Sequence, residues 1–264
     1  TTFLAMWELM ALTSTVLVLT DHERAACRRA GLVYAVMTHL GFLAVLVGLV
    51  TFAAGVGSEV FAAMARDGAA LPPATRDAIF LLTVAGFASK AGLLPLHAWL
   101  PRGHPEAPGP VSALMSAAMV ALGVYGLIRI DVVALGVGPG WWGLTLLVIG
   151  ATSAVYAVLQ ASVATDLKRL LAYSTSENMG LVAVGLGAAM LLRSAAQPAA
   201  AAVAFAAAML QVVNHAAFKS LAFLGASTVQ RATGQRDLDP LGGLARRRSA
   251  ARRVGPACRS RWSP

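Results

Sequence analysis

Seven mainly apolar stretches, each near the roughly twenty residues that a helix needs to cross a bilayer, dominate the chain. They cover 2–20, 31–54, 78–100, 111–130, 141–163, 170–192 and 199–229, and short polar or Pro/Gly-rich connections separate them. No segment alternates with a period of two, so strands are not expected. The pattern predicts an all-α membrane protein with about seven transmembrane helices. The last stretch is long enough to tilt or break, and the mixed segment 55–73 suits a short interfacial helix.

Charge supports this reading once its placement is considered. Only 12% of residues are charged and the mean hydropathy is +0.70, against about 25% charged residues in a soluble domain. The net charge of +9 is not a nucleic-acid footprint, because seven of the 18 arginines crowd between Arg246 and Arg261. The connections after stretches one, three, five and seven carry Arg24, Arg28, Arg29, Arg102, Lys168, Arg169, Arg231 and Arg236. The opposite connections carry Arg66, Arg76, Arg129 and Arg193. Eight cations against four place the first set in the cytoplasm. Cys27 and Cys258 fit neither a metal spacing nor a disulfide framework. No signal-peptide pattern is present. The chain starts without Met inside an apolar run and reads as a fragment cut within its first helix. The membrane domain is expected to cover 1–244. The basic tail, 245–264, reads either as a frame-shifted, disordered extension or as a segment that binds anionic lipid headgroups.

Two of the three lysines lie deep in apolar runs. An ammonium group at bilayer depth costs roughly 2.5–3.5 kcal/mol on the lenient insertion scale, so such a lysine faces a partner or a hydrated cavity. Lys90 is flanked by Gly86, Ala88, Ser89, Ala91 and Gly92, and Pro95 follows. Proline removes a helical hydrogen bond and clashes with the preceding turn, so a helix break is expected just after Lys90. Broken membrane helices are tolerated where they line protein cavities. His97 returns to the Lys90 face if the helix resumes. A desolvated lysine exchanges its proton readily, and a neighbouring glutamate holds that proton on. The competing reading is a static Lys–Glu pair that locks two helices.

His215 and Lys219, four residues apart with Gln211 one turn earlier, share one helical face. That row suits a hydrated relay, and equally an interhelical hydrogen-bond cluster. Glu8 has no polar neighbour before Thr13 and is either a proton-carrying acid or a snorkelling end residue. Glu177 is a proton-entry group or an interfacial acid. His39 is a lone histidine of the kind that usually packs. No Walker loop or Gly-x-Ser-x-Gly element occurs. The run Gly136-Val137-Gly138-Pro139-Gly140 lacks the strand of a dinucleotide fold and reads as an interfacial turn before Trp141-Trp142.

The stretch Phe87-Ala88-Ser89-Lys90-Ala91-Gly92-Leu93-Leu94-Pro95-Leu96-His97-Ala98-Trp99-Leu100-Pro101 resembles the signature of the antiporter-like proton-translocating subunits of complex I, membrane-bound hydrogenases and multisubunit Na+/H+ antiporters. Further matches are Trp7-Glu8-Leu9-Met10, the run from Asp166 to Ser174 and the run from Asn214 to Leu221. The segments Arg102–Pro108, Val111–Ser116 and Ser176–Gly180 point to the branch of hydrogenase-4 component B and formate hydrogenlyase subunit 3. The resemblance implies part of a fourteen-helix fold of two inverted five-helix repeats, each with one discontinuous helix. Glu8 then sits on the fifth helix and pairs with Lys90 on the broken seventh, and His215 and Lys219 sit on a broken eleventh. The first four helices and those after the eleventh lie outside this chain. Many relatives carry an ionisable residue on the eighth helix, where Ser116 or Ala121 stands here.

The function implied is a non-catalytic subunit that moves H+ or Na+ through a prokaryotic inner membrane. Electron transfer in a peripheral hydrogenase or dehydrogenase arm would drive it. Neither cofactor nor metal is expected, since no Cys/His ligand set is present, and the partners are other membrane subunits and lipid. An antiporter subunit without redox coupling and a truncated, non-transporting scaffold are the alternatives.

Overall fold

The computed structural model describes residues 2–242, so the basic tail 245–264 lies outside the described residues. All seven apolar stretches fall on helices: α1 (Thr2–Val18), α2 (Ala25–Val56), α4 (Pro73–Ala91), α6 (Gly109–Ala134), α7 (Gly140–Ser162), α8 (Leu167–Ser194) and α9 (Pro198–Thr233). The mixed segment holds the short α3 (Phe61–Asp67), and α5 (Leu100–Glu106) follows the break after Lys90. Among the described residues there is no strand. Helices α2, α6, α7, α8 and α9 are long and apolar enough to cross a membrane by length and composition. Helix α1 is shorter, and α4 carries Arg76, Asp77 and Lys90 within its 19 residues.

The polar connections sort the chain into two ends. At the end expected to be cytoplasmic, Glu106 pairs with Arg24 at 2.9 Å and with Arg236 at 3.1 Å, and Arg236 also bonds Asp166. Glu106 is the last residue of α5, and the other three come from the connections after α1, α7 and α9. At the other end Arg76 donates to the carbonyls of Leu135 (2.6 Å) and Val137 (2.9 Å), and Arg193 donates to that of Val132 (2.9 Å). The Trp142 indole N–H there bonds Asp77 Oδ1 at 2.7 Å, and its ring stacks on Phe80 with centroids 4.5 Å apart. Consecutive spans therefore alternate in direction.

Small residues set the helix spacing. On α7 and α8, Gly143 faces Gly187 and Gly150 faces Gly180. A Cβ at Gly150 or Gly180 would stand 2.7 Å from the partner glycine's carbonyl oxygen. Helices in lipid gain little from hydrophobic burial against each other and rely on such close contact. Gly123 of α6 lies equally close to the backbone of Phe87 and Ala91 on α4, which brings α6 against the end of α4. Helix α6 widens into π-type turns at Met115–Met119 and Leu127–Ala134.

The long final helix corrects one expectation. Helix α9 runs unbroken over 36 residues, so His215 and Lys219 do not sit on a discontinuous helix. Its only proline, Pro198, occupies the first turn, where a missing N–H costs nothing. Among the described residues the discontinuity expected in each repeat is present once, between α4 and α5.

Candidate functional site

Helix α4 ends at Ala91, one residue after Lys90, and the terminator is Gly92 rather than Pro95. Gly92 adopts a left-handed conformation (φ 76°) and its N–H reaches the carbonyls of Ala88 and Ser89. The Leu93 N–H returns to the Ala88 carbonyl at 2.9 Å, the closure typical of a glycine-capped helix end. Other backbone groups freed by the break find side chains. The Trp99 indole N–H donates to the Ser89 carbonyl at 2.8 Å, and Ser153 of α7 accepts from the Leu94 N–H at 2.9 Å. Non-helical backbone at membrane depth requires such internal partners. Pro95 falls in the turn and contributes by keeping the helix from resuming at once.

This break leaves Lys90 near the end of a half-helix with 3% of its surface exposed. Its Nζ donates to Tyr34 Oη of α2 at 3.1 Å, and the tyrosine hydroxyl shares a 2.6 Å hydrogen bond with Ser14 of α1. The ammonium also lies over the Tyr34 and Trp99 rings, 5.4 and 5.9 Å from their centroids, contacts worth about 2 kcal/mol or more when desolvated. Among the described residues no carboxylate lies within ion-pair distance of Lys90.

The expected Glu8–Lys90 pair is therefore not made as a contact. Glu8 Oε1 is 2.9 Å from His39 Nε2, while Glu8 acts on Lys90 only through space. His39, read from the sequence as a packing residue, is the direct neighbour of Glu8, and its Nδ1 lies 2.7 Å from the Ala35 carbonyl. The crevice beside Lys90, lined by Trp7, Thr38, Gly41, Gly86 and Ser89, is too narrow for a water molecule. Nor does His97 continue the Lys90 face. The turn at 92–99 redirects it, and its ring meets Tyr156 of α7 edge-on at 5.2 Å.

The row on α9 forms as the spacing predicts. Gln211 Nε2 donates to Asn178 Oδ1 at 2.6 Å and Lys219 Nζ donates to the Leu171 carbonyl at 2.9 Å, so both ends of the row face α8. His215 lies between them, buried, with Nε2 lacking a hydrogen-bond partner among the described residues. Glu177 is half-buried on α8 and acts on Lys219 through space without touching it. On α6, Ser116 is engaged by Thr175 at 2.8 Å, and Thr175 bonds the same Leu171 carbonyl that Lys219 uses.

Tyr34, Asp131 and His104 are among the buried polar groups that the sequence does not single out as candidate site residues. Tyr34 gave no signal, because it is a single aromatic in an apolar run. Asp131 is fully buried in a π-type turn of α6, with Oδ1 bonded to Thr83 at 2.6 Å and Oδ2 without a hydrogen-bond partner among the described residues. An acid within Leu127-Ile128-Arg129-Ile130-Asp131-Val132-Val133 was a legible signal. His104 on α5 is also fully buried. Among the described residues no cluster of three or more His, Cys, Asp or Glu could hold a metal ion.

The family described as NADH:quinone oxidoreductase/Mrp antiporter, TM, matches residues 1–252. An uncharacterized protein of Mycobacterium tuberculosis is 63% identical over 250 residues, covering 95% of this chain and 38% of that protein. Hydrogenase-4 component B of Escherichia coli is 38% identical over 247 residues, covering 93% of this chain and 36% of that protein. The structure of the Mrp complex from Dietzia sp. DQ12-45-1b superposes with a TM-score of 0.79 at 29% identity, covering 92% of this chain and 25% of that one. The chain thus spans well under half the length of these relatives. Broken helix, buried lysines and sequence match agree, and the chain belongs to the NADH:quinone oxidoreductase/Mrp antiporter transmembrane family.

Proposed function

We propose that this chain is part of a membrane subunit that moves protons, driven by electron transfer in partner subunits of a hydrogenase-4-like or complex I-like assembly. The observation that carries this reading is Lys90, a buried ammonium at the break of a membrane helix, held by a phenol and two aromatic faces with no contacting carboxylate among the described residues. A lysine so placed can exchange its proton when Glu8 moves or is neutralised. A permanently salt-bridged lysine could not do so at similar cost. Tyr34 and Ser14 offer the first hydroxyls of a path away from Lys90, and the Glu8–His39 contact is a second proton-holding pair on the α1–α2 side. On the far side, Lys219 and His215 form the next titratable station, with Glu177 as its counter-charge. Each proton moved against 100 mV requires about 2.3 kcal/mol, so the drive comes from outside this chain. Other membrane subunits are its expected partners, with a peripheral redox arm beyond them.

The likeness to the Mrp complex structure favours a second reading, a cation/proton antiporter subunit without redox coupling. The genes flanking the locus separate the two: hydrogenase or dehydrogenase subunits for the first, further antiporter subunits for the second. The functional test is Lys90→Met in the full-length subunit within its complete complex, with proton uptake followed in inverted membrane vesicles. Loss of uptake with electron transfer retained supports the pump; unchanged uptake removes Lys90 from the mechanism.

A further inference from the structure

Two arginines at the end expected to be cytoplasmic have no acid to answer them. Arg102 of α5 and Arg169 of α8 are exposed, and among the described residues no carboxylate lies within ion-pair distance of either. The acids nearest to them in sequence, Glu106 and Asp166, are taken by Arg24 and Arg236. Both Arg102 and Arg169 act through space on the phenol of Tyr173 on α8, and so does Tyr156 of α7. Tyr156 is 37% exposed and its ring meets His97 edge-on, while Arg102 also acts on His97. Among the described residues neither phenol oxygen has a hydrogen-bond partner. Three helices and the turn at 92–99 thus bring two guanidinium groups and two phenols to one place, with their donors unspent. Toward the membrane, α7 continues this face as an apolar stripe. Val148, Val155 and Leu159 are 49%, 60% and 61% exposed and share the Tyr156 face by helical spacing. The opposite face of α7 is closed against α8 by Gly143 and Gly150.

Cations that only set orientation stay solvated, as Arg29 and Arg231 do at the same end, exposed and without an ion-pair partner among the described residues. Such cations need no phenols beside them. We propose that Arg102, Arg169, Tyr156 and Tyr173 form a binding site for the phosphate of an anionic phospholipid in the cytoplasmic leaflet, with its acyl chains laid along the Val148–Val155–Leu159 stripe. Guanidinium forks match phosphate oxygens two at a time, and phenol hydroxyls donate to the oxygens that remain. Tyrosine suits the depth, since its ring sits among chains while its hydroxyl stays at headgroup level. Each basic residue beside an anionic leaflet gains about fivefold in binding. A zwitterionic lipid brings its own cation and gains less. A lipid held there ties α5 to α7 and α8 from the membrane side. The site goes beyond the translocating role and rests only on the orientation of the chain.

The test uses the full-length subunit in its complete complex, in nanodiscs of phosphatidylcholine. Trace phosphatidylglycerol or phosphatidylcholine, each with a photoactivatable acyl chain, is cross-linked and the labelled peptides are mapped by mass spectrometry. The expected result is at least tenfold more labelling of the α7 peptide 148–159 by phosphatidylglycerol than by phosphatidylcholine. That preference should fall at least tenfold in the double variant Arg102→Gln/Arg169→Gln. It should persist in Arg29→Gln/Arg231→Gln, which removes the same charge from the same end. If the first variant does not assemble, Tyr156→Phe/Tyr173→Phe takes its place, with at least a threefold loss expected. Equal labelling by the two lipids, or no labelling because protein covers the stripe, overturns the proposal. Equal losses in the two arginine variants overturn it in favour of general surface attraction. Competition by inorganic phosphate at constant ionic strength overturns it in favour of a site for free phosphate.

Discussion

Glu8 contacts His39, not Lys90: the carboxylate lies 2.9 Å from His39 Nε2, while the lysine is bonded to Tyr34. The acid and the lysine thus hold separate partners and communicate through space. Glu8 can then change charge without a contact being broken at Lys90. If the Glu8–His39 pair works as a unit, Glu8→Gln and His39→Gln will each slow proton uptake, and the double variant will be no slower than the worse single one. A double-mutant cycle on uptake rates checks this; multiplicative losses would mean that the two side chains act independently.

Tyr34→Phe removes the only oxygen bonded to the Lys90 ammonium among the described side chains and leaves Ser14 with its backbone carbonyl partners alone. Hydrogen bonds to charged groups contribute about 1.5–3 kcal/mol. The variant is expected to lose stability in that range, seen as a lower unfolding temperature in detergent, with Lys90→Met in the same background showing little additional loss.

Gly92→Ala tests the break itself. An L-residue in the left-handed region costs roughly 1–2 kcal/mol, and a Cβ at this position would also collide with the Leu100 side chain. Destabilisation beyond that range is expected. Because Leu100 opens α5, the half-helix bearing His104 should shift too, and accelerated hydrogen exchange over 100–106 is the corresponding measurement.

Glu106→Gln removes the acid that joins Arg24 to Arg236. Glu106 is mostly buried but both arginines are substantially exposed, so the loss should fall between the surface and buried limits, about 1–2 kcal/mol. Arg236 keeps Asp166. Thermal unfolding should therefore show a modest shift, and raising the salt concentration should narrow the gap to wild type.

The apolar stretches were legible because bilayer thickness sets a length that composition alone can meet, and all seven lie on helices. The break after Lys90 was legible too, although Gly92 makes it and Pro95 only follows. What periodicity cannot carry is rotation between helices. His39 looked idle because its partner is on α1, 31 residues away, and Tyr34 had no polar neighbour in sequence to announce it. The same limit placed His97 on the Lys90 face, which holds for a continuous helix but not across the turn at 92–99. The unbroken α9 departs from the repeat pattern because nothing in its interior removes a hydrogen bond.

The glycine seam between α7 and α8 bears on how the molecule is assembled. The facing pairs Gly143–Gly187 and Gly150–Gly180 belong to adjacent helices joined by a connection of four residues, 163–166. Little chain entropy is lost in closing so short a loop. This hairpin can therefore close as soon as its second helix enters the bilayer, before α9 is made. It then offers α9 a finished wall carrying the Leu171 carbonyl and Asn178, so the wall that receives Lys219 and Gln211 is in place before either residue emerges.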